Sequence, residues 1–298
     1  MDKIKRVTAD ELRLLAEQKG FPQPLLAKDY FITVLLYLLQ DLPGIYFKGG
    51  TALNKVFLNY ARLSEDIDFT VTGDISLIQQ QIGATVIKSG FFKNITKDHT
   101  KDLFVRLIVN YEDPLGRIGS IFIDLNKKGN LLLPPEQHRI PHFYTHSIPE
   151  FSSKTVSFSE MLAEKMRATI ERNKPRDHFD LYQIITNKLP LDLQLVRKKC
   201  AESGSEFDIT KMFNRANRLK QKWDEDLGPL LAQKVSFQEV MTTLAKHFHL
   251  KEVKEKKKKA MQELGDSPAY QKLLKDIKSI LARLPPEQKY PQHSNDKK

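Results

Sequence analysis

The sequence predicts an α+β protein in which a mixed sheet flanked by helices is followed by a mostly helical C-terminal domain. Helix and strand patterns are interspersed over residues 1–150, four prolines cluster at 131–153, and helical patterns without a convincing strand continue to residue 284. We therefore expect one domain at 1–150 and a second at 151–284. The polar segment at 285–298 has the composition of a disordered tail.

Two helical segments open the chain. In the first, at 9–19, Thr8 and Glu11 fit a capping box and Gly20 fits a C-terminal stop. The second, at 25–42, contains the apolar run YFITVLLYLL, which is too short to span a bilayer and predicts a buried core helix. With one cysteine and no apolar leader at the N-terminus, the sequence predicts a cytoplasmic protein without a membrane segment.

Strand signals follow these helices. GIYFK is a short strand candidate, GGTALNKVFLNYA has helical periodicity, and EDIDFTV is a strand with aspartates on one face. DISLIQQQIGATVIKSG predicts a helix that ends near Gly90. FFKNIT and DLFVRLIVNY predict strands, and the turn residues of EDPLGRIG predict that the second of them forms a hairpin with IGSIFIDLN.

The second half of the chain is helical and basic. Ser157 and Glu160 form a capping box at the start of one helix, and another helix begins after Pro175. Lys and Arg against Asp and Glu give 18 − 17 = +1 for residues 1–150 and 30 − 20 = +10 for residues 151–298. This excess favours a polyanionic partner there, and a well-solvated helical surface is the alternative. The basic run at 251–259 leaves the same two alternatives open.

Three aspartates lie on predicted strands. Asp66 and Asp68 are two residues apart, so their carboxylates point to the same face of the strand. Asp124 lies on a separate apolar strand and joins them if the two strands are neighbours. Converging carboxylates repel one another unless a cation neutralises them, and Mg²⁺ prefers few carboxylates plus phosphate oxygens. The pattern predicts a site for Mg²⁺, as two ions. Polar positions on an exposed edge strand are the alternative for Asp66 and Asp68, and closure of a hairpin beside Asn126 is the alternative for Asp124.

The glycine pair predicts an anion site. A strand that ends at Gly49 and Gly50, with a helix starting near Thr51, directs free backbone N–H groups towards an anion. Glycine lets the backbone approach a phosphate, which a Cβ would obstruct. Neither GG nor D-x-D is specific alone, whereas strand, GGT, helix and then S-x-D-x-D on a strand form a far more specific ordered set.

This ordered set resembles the polymerase β-like nucleotidyltransferase superfamily, and the chain is more closely similar to the AbiEii/AbiGii (MenT-like) toxin family of bacterial toxin–antitoxin and phage-defence systems. The matching stretches between residues 28 and 184 are KDYFITVLLYLL, FKGGTALNKVF, RLSEDIDF, SEMLAEKMRA and KPRDHFDLYQI. The resemblance implies a minimal nucleotidyltransferase domain with an appended helical domain. It also implies an enzyme that moves a nucleoside monophosphate from an NTP to an RNA acceptor, the tRNA 3′ end, and is neutralised by a separately encoded antitoxin.

The resemblance implies roles for the residues of the first domain. Asp66 and Asp68 would be the metal-binding carboxylates, and Ser64 would lie beside the metal; a turn position is the alternative for Ser64. The phosphates of the nucleotide would be held by Gly49, Gly50 and Thr51. The assignment of Asp124 as third carboxylate rests on the wider superfamily.

Four residues of the second domain receive roles or alternatives. Lys165 matches the lysine of A-E-K and would contact the triphosphate, with a lysine that snorkels over the core as the alternative. Asp180 matches the second acid of R-D-x-x-D-L and would be required for catalysis. Asp177 is the neighbouring acid or a first-turn acid that suits the helix dipole. Arg176 contacts phosphate or nucleic acid, or it is solvated; the sequence leaves both open.

Two classes of function follow. The first is a nucleotidyltransferase toxin that acts on RNA, and an enzyme that modifies a small molecule or a protein hydroxyl is its variant; the +10 half argues against that variant. The second is a catalytically silent module that binds nucleotide or RNA. The intact D-x-D pattern and Lys165 argue against the silent module, since such a module need not retain them.

Overall fold

The computed structural model describes residues 4–101, 103–127, 131–268, 271–272 and 275, so the predicted tail at 285–298 lies outside the described residues. The chain divides into two compact units between His247 and Phe248. No described helix is both long enough and apolar enough to cross a membrane.

A mixed sheet forms the centre of the first unit. Its seven strands are β1 (Ile45–Lys48), β2 (Ile67–Val71), β3 (Asn94–Lys101), β4 (Phe104–Glu112), β5 (Ile118–Asn126), β6 (Glu136–Arg139) and β7 (Ser152–Thr155). They lie in the order β3-β4-β5-β2-β1-β7-β6. β2 pairs antiparallel with β1 and parallel with β5, so the predicted mixed sheet is confirmed.

In the described part of the first unit, nine helices surround the sheet or follow it: α1 (Ala9–Lys19), α2 (Gln23–Leu39), α3 (Gly49–Ala52), α4 (Ile75–Ser89), α5 (Phe158–Arg172), α6 (Pro175–Thr186), α7 (Leu193–Glu202), α8 (Ala216–Leu227) and α9 (Phe237–His247). A π-helical turn, Leu53–Phe57, continues α3, and two 3₁₀ segments lie at Ile209–Phe213 and Gly228–Leu230. In the second unit, the basic run lies on α10 (Leu250–Asp266).

The local signals of α1 and α2 act as the sequence predicts. Thr8 and Glu11 form both hydrogen bonds of a capping box, and Gly20 ends α1 in the left-handed conformation with φ of 74°. α2 is buried on nearly all sides, because it packs its apolar run into the core; Leu26, Ile32 and Leu35 have no exposed surface. The core helix predicted from the run at 30–39 is therefore confirmed.

The predicted hairpin is also confirmed, because β4 and β5 pair antiparallel from Phe104 opposite Asn126 to Glu112 opposite Ile118. The strand before it differs from the prediction at 91–96, since β3 begins at Asn94 and continues to Lys101. Residues 91–93 instead form the turn after α4, and the ring of Phe92 packs edge-on against Phe31.

The proline-rich stretch contributes two strands that the sequence does not signal. β6 pairs antiparallel with β7, and β7 lies beside β1, with Phe47 opposite Thr155. The sheet therefore extends to residue 155, and the uninterrupted helical part begins at Phe158. Both strands are short and polar, so they carry no apolar alternation that a sequence pattern would show.

Candidate active site

One row of charged residues crosses four neighbouring strands. Asp68 in β2 lies opposite Asp124 in β5 and opposite Lys48 in β1, and Asp124 lies opposite Arg106 in β4. Residues directly opposite each other in a sheet project to the same face, so the row reads cation, acid, acid, cation. β2 and β5 are therefore neighbours, which is the condition under which the sequence predicts that the three acids converge.

The two acids of the D-x-D pattern lie in different local environments. Asp66 immediately precedes β2 and Asp68 lies within it. Burial raises the pKa of Asp68 to about 6, and repulsion from Asp124 and Asp66 adds to the effect. Burial also raises the pKa of Asp66, against the opposing charge of Lys28. Partly buried, mutually repelling carboxylates of this kind favour a cation between them.

Asp124 has a partner within the protein. Arg106 donates two hydrogen bonds of 2.7 Å to its two carboxylate oxygens, and the side chain of Asp124 is 14% exposed. A bidentate guanidinium neutralises the carboxylate and occupies lone pairs that a metal would need. The structure therefore brings Asp124 beside Asp68, as predicted, but holds its carboxylate in an ion pair.

Gly49 lies directly against the carboxylate of Asp68. Its φ is +78°, and a Cβ built on it would lie 2.1 Å from Oδ2 of Asp68. A Cβ on Gly50 would lie 2.9 Å from Nη2 of Arg62 and 3.4 Å from Oγ of Ser64. Both positions need glycine because the backbone passes close to charged or polar groups. Ser64 lies beside the glycine pair.

The start of α3 is tied to the strand that carries the acids. The hydroxyl of Thr51 donates a hydrogen bond to the backbone oxygen of Asp66. The helix begins at Gly49, two residues before the predicted start, with Lys48 as its N-cap residue. Backbone N–H groups at this end of the helix are available to an anion, because no side chain caps them.

A buried ionic network lies behind the glycine pair. Arg62 donates two hydrogen bonds of 2.7 Å to Asp180, and Nζ of Lys165 lies 2.9 Å from Asp180 and 3.0 Å from Asp177. Burial alone would raise the pKa of Asp180, but Arg62 and Lys165 outweigh it and lower the pKa. Burial also raises the pKa of Asp177, but Lys165 and Arg172 outweigh burial, so the pKa of Asp177 is lowered as well.

Asp180 does not reach solvent, since it is 0% exposed. Besides its two cations it accepts a hydrogen bond of 3.1 Å from Nδ2 of Asn54, and the same amide group donates to the backbone oxygen of Gly50 at 3.0 Å. Asp180 thus holds Arg62 and Asn54 against the glycine pair. We expect it to position that loop and not to touch substrate, which differs from the direct catalytic role implied by the resemblance.

A cavity of about 330 Å³ opens beside the acids and the glycines. We call it the nucleotide cavity. It is lined by the acids Asp68 and Glu164, the glycine pair, and the four cations Lys48, Lys165, Arg167 and Arg172. Lys48 lies 3.7 Å from Glu164, and Arg172 lies 3.0 Å from Asp177. Four cations and an uncapped helix start around one cavity suit a polyphosphate.

The residues present fit a divalent cation of the Mg²⁺ type. Within the described residues, no group of three or more His, Cys, Asp or Glu side chains is arranged to hold a metal ion. Mg²⁺ is commonly bound by one or two carboxylates and completes its coordination with substrate phosphates and water. Asp66 and Asp68 supply that number of carboxylates, and the third, Asp124, is held by Arg106.

Arg176 lies outside the nucleotide cavity. Its guanidinium is 3.9 Å from Glu65 and lines a different groove together with Lys28. Arg62 and Asn54 are not among the site residues that the sequence predicts, although both lie in stretches that resemble the family. Neighbouring residues in the sequence do not indicate that both side chains bind Asp180. Arg62 is the one cation of RLSEDIDF, which otherwise carries three acids, and this lone opposite charge was the available signal.

The chain matches known proteins over most of its length. The family model described as nucleotidyl transferase AbiEii toxin, type IV TA system, matches residues 35–287. Among solved structures, MenT4, a nucleotidyltransferase toxin from Mycobacterium tuberculosis H37Rv, superposes with a TM-score of 0.58 at 22% identity, over 80% of this chain and 88% of that chain. JHP933 from Helicobacter pylori superposes with a TM-score of 0.55 at 18% identity, over 83% and 100%.

A putative nucleotidyltransferase from H. pylori gives a TM-score of 0.55 at 18% identity, over 79% of this chain and 98% of that chain. None of the curated proteins compared matches the chain. At these identities the solved structures show the fold, and they confirm the predicted nucleotidyltransferase-like architecture.

Proposed function

The chain belongs to the nucleotidyl transferase AbiEii toxin family of type IV toxin–antitoxin systems, and from this premise we propose that it transfers a nucleoside monophosphate from an NTP to the 3′ end of tRNA with Mg²⁺. The family implies an NTP as substrate and an antitoxin as partner. The acceptor, the metal and the action in the cytoplasm are our proposal. A nucleotide added to the 3′ end would block aminoacylation and thereby translation.

One observation carries the proposal: the carboxylate of Asp68 lies against the backbone of Gly49 on the wall of a cavity that four cations also line. A carboxylate beside a phosphate site is unfavourable unless a cation lies between them, and a silent binding module would gain nothing from it. The arrangement therefore favours phosphoryl chemistry over simple binding of a nucleotide.

The roles of the residues follow from their positions. Asp66 and Asp68 would hold Mg²⁺, which when bound activates the acceptor hydroxyl and neutralises charge on the reacting phosphate. Lys48, Lys165, Arg167 and Arg172 would neutralise the β- and γ-phosphates, and N–H groups at the start of α3 would donate to phosphate oxygens. Thr51 and Ser64 would keep the strand and the glycine pair in register.

The reaction would be an in-line displacement. The acceptor hydroxyl oxygen forms a bond to the α-phosphorus while the bond from that phosphorus to the bridging oxygen breaks, and pyrophosphate leaves. Lys165 is fixed by Asp177 and Asp180, so its ammonium group is oriented before the nucleotide binds. Asp180, Asp177 and Arg62 act as positioning residues in this proposal.

A labelling experiment tests the proposal. The protein is incubated with tRNA, Mg²⁺ and each NTP labelled at the α-phosphate, and the label is followed in RNA and in protein. We expect label at the tRNA 3′ end with at least one NTP and its loss in Asp68→Asn. Asp74→Asn is the matched control, because it makes the same change at an exposed N-cap of α4, where asparagine caps equally well.

Two outcomes would contradict the proposal. Label that enters tRNA equally in wild type and in Asp68→Asn would remove Asp68 from the reaction. Label that enters protein or a small molecule and never RNA would support the other class of acceptor.

A further inference from the structure

A second cavity, of about 160 Å³, lies between the α5–α6 turn and the start of α8. We call it the α8 cavity. Asp226 is its one acid, whereas its five cations are Arg172, Lys174, Arg215, Arg218 and Lys222. Of these five cations, Arg172 alone has a role in the reaction proposed above, because it also lines the nucleotide cavity.

Most of the cations of the α8 cavity have no ion-pair partner among the residues described, and the cavity has a single acid there, Asp226. Lys174, Arg215, Arg218 and Lys222 are exposed, and none of them forms an ion pair with any residue that the structure describes. Arg172 pairs with Asp177 at 3.0 Å, with 53% of its side chain exposed. Four uncompensated cations around a space of this size repel one another, and an anion in the cavity would relieve the repulsion.

Two helix starts add to this positive potential. α6 begins at Pro175 with Lys174 as its N-cap, and α8 begins at Ala216 with Arg215 as its N-cap; neither helix has a side-chain cap. Helix N-termini favour acids and disfavour cations, because the macrodipole is positive there. α6 has the acid Asp177 in its first turn, whereas the first turn of α8 has no acid and carries Arg218, so the start of α8 is disfavoured unless an anion binds.

The α8 cavity connects to both sides of the candidate active site. Arg172 belongs also to the nucleotide cavity, which contains Asp68. Lys174 and Lys222 belong also to an open groove of about 800 Å³ that reaches Glu65, the residue directly before Asp66. The groove therefore approaches the acids on the Asp66 side, whereas the nucleotide cavity opens on the Asp68 side.

The lining of the groove suits a nucleic-acid strand more than a free anion. Its four cations, Lys28, Lys174, Arg176 and Lys222, outnumber its three acids, Glu65, Glu225 and Asp226, by one. Its apolar and aromatic walls are formed by Pro22, Pro24, Leu25, Tyr111, Pro229 and Leu230. Free phosphate or pyrophosphate needs only the cations. Sugars and bases need apolar surface in addition, and single strands combine both kinds of contact.

We propose that the α8 cavity binds a phosphodiester group of the RNA acceptor and that the adjoining groove guides the acceptor's 3′ end to the Asp66 side of the site. The inference rests on the proposed function, because it takes the acceptor to be RNA. It adds a specific binding surface, formed by the starts of α6 and α8, to the nucleotide site.

Binding of bulk tRNA by charge-reversal variants tests this surface. Arg218→Glu reverses a charge of the α8 cavity, and Lys220→Glu is the matched control, since Lys220 is exposed on the same helix and is not part of the cavity. We expect Arg218→Glu to weaken tRNA binding about tenfold or more, and to lower the slope of log Kd against log salt by about 0.7 to 0.9 for each lost phosphate contact. Lys220→Glu should change the dissociation constant less than about threefold, since an exposed charge away from the contact acts only at long range.

Two further measurements keep the test decisive. Arg218→Lys retains the charge and should restore most of the affinity, while binding of a non-hydrolysable NTP analogue should be unchanged in all three variants. None of the three should unfold at a lower temperature, since Arg218→Glu places an acid in the first turn of α8, where the helix dipole favours it. Equal tRNA affinities of Arg218→Glu and Lys220→Glu would overturn the inference. It would also be overturned if the Arg215→Ala/Arg218→Ala variant lost calorimetric binding of inorganic pyrophosphate but kept its tRNA affinity, which would identify a free-anion site.

Failure of the inference and failure of the proposed function are distinguishable. Absence of nucleotide transfer to any RNA would refute the function, whereas the comparison of tRNA affinities between Arg218→Glu and Lys220→Glu needs no transfer. Transfer that occurs at equal rates in both variants, with equal affinities, would leave the function standing and remove the α8 cavity from it.

Discussion

Replacing Gly49 by alanine separates the catalytic role of the glycine pair from its structural role. The new Cβ would lie 2.1 Å from Oδ2 of Asp68, where ordinary contacts begin at 3.4 Å, so the carboxylate must move by about 3.4 − 2.1 = 1.3 Å. Misplacement of a reacting group by about 1 Å costs roughly 100-fold in rate. We therefore expect nucleotide transfer to fall about 100-fold in Gly49→Ala.

The same substitution has a separable cost in stability. The φ of Gly49 is +78°, and a left-handed conformation costs an ordinary residue about 1–2 kcal/mol. Gly116, in the β4–β5 turn, provides the matched control, because its φ is +76° and a Cβ there would have open space. Gly116→Ala should lose a similar 1–2 kcal/mol of unfolding free energy and keep the wild-type rate.

The assay measures both quantities on the same preparations. Denaturant unfolding gives the stability loss of each variant, and transfer of labelled nucleotide under single-turnover conditions gives the rate. Our reasoning would be refuted if Gly49→Ala transferred nucleotide at the wild-type rate, because the close approach of Gly49 to Asp68 would then be incidental. A rate that fell equally in Gly116→Ala would show that backbone strain, and not the displaced carboxylate, controls activity.

Three further predictions concern the buried and paired acids. Asp180→Asn leaves two buried cations short of a partner, so denaturant unfolding should show a loss of about 3–5 kcal/mol. Asp177 and Asp180 both have lowered pKa values in the folded protein, so their contribution to stability is full above the unfolded pKa of about 3.9 and is lost as pH falls below it. The free energy of unfolding, measured from pH 6 to pH 2, should therefore drop below about pH 3.9. A flat profile would contradict the ion pairs. Because Arg106 already neutralises Asp124, Asp124→Asn should slow transfer less than about tenfold, whereas Asp68→Asn should slow it by about 100- to 1000-fold; equal rates in the two variants would assign Asp124 a direct role.

Local signals in the sequence predicted the elements that carry the acids. The alternation around Asp66 and Asp68, the hairpin that contains Asp124 and the glycine pair at the start of α3 depend on a few neighbouring residues, and the structure has all of them. Sheet order is different, because the pairing of β2 with β5 joins residues about fifty positions apart and no local rule specifies it. The sequence could therefore state the convergence of the three acids only as a condition.

Partners that are distant in the sequence explain why the capping box predicted at Ser157 and Glu160 is only half formed. Ser157 caps α5 as predicted, but the carboxylate of Glu160 bonds Lys199 and the backbone of Leu132 and Leu133 instead of completing the capping box. Burial drives this choice, since an ion pair with a buried lysine leaves both charges satisfied. Which partner a side chain selects depends on the folded neighbourhood, and a capping pattern states only the local option.

The net charge counted along the sequence and the cations that the fold brings together indicate different surfaces. The +10 excess of residues 151–298 includes the run at 251–259, which lies on α10 in the second compact unit. The cations around the nucleotide cavity, and those of the groove that adjoins the α8 cavity, come from both halves of the chain. Lys28 and Lys48 belong to the half whose net charge is +1. Binding of a polyanion depends on which cations the fold gathers around one cavity, so the net charge of a segment is a weak guide to where the polyanion lies.

The buried pair between Arg62 and Asp180 changes how the two most diagnostic stretches are understood. RLSEDIDF and KPRDHFDLYQI suggest two separate catalytic motifs, yet their charged residues meet at 2.7 Å behind the glycine pair, 118 residues apart in the chain. The Asp180 carboxylate also fixes Lys165 on one side and, through Asn54, the backbone of Gly50 on the other. A buried charge so placed acts through the geometry it imposes, because it does not reach solvent. Loss of Asp180 should therefore disturb the glycine pair and Lys165 together, and a variant that lost activity with both groups undisturbed would show that the acid acts directly.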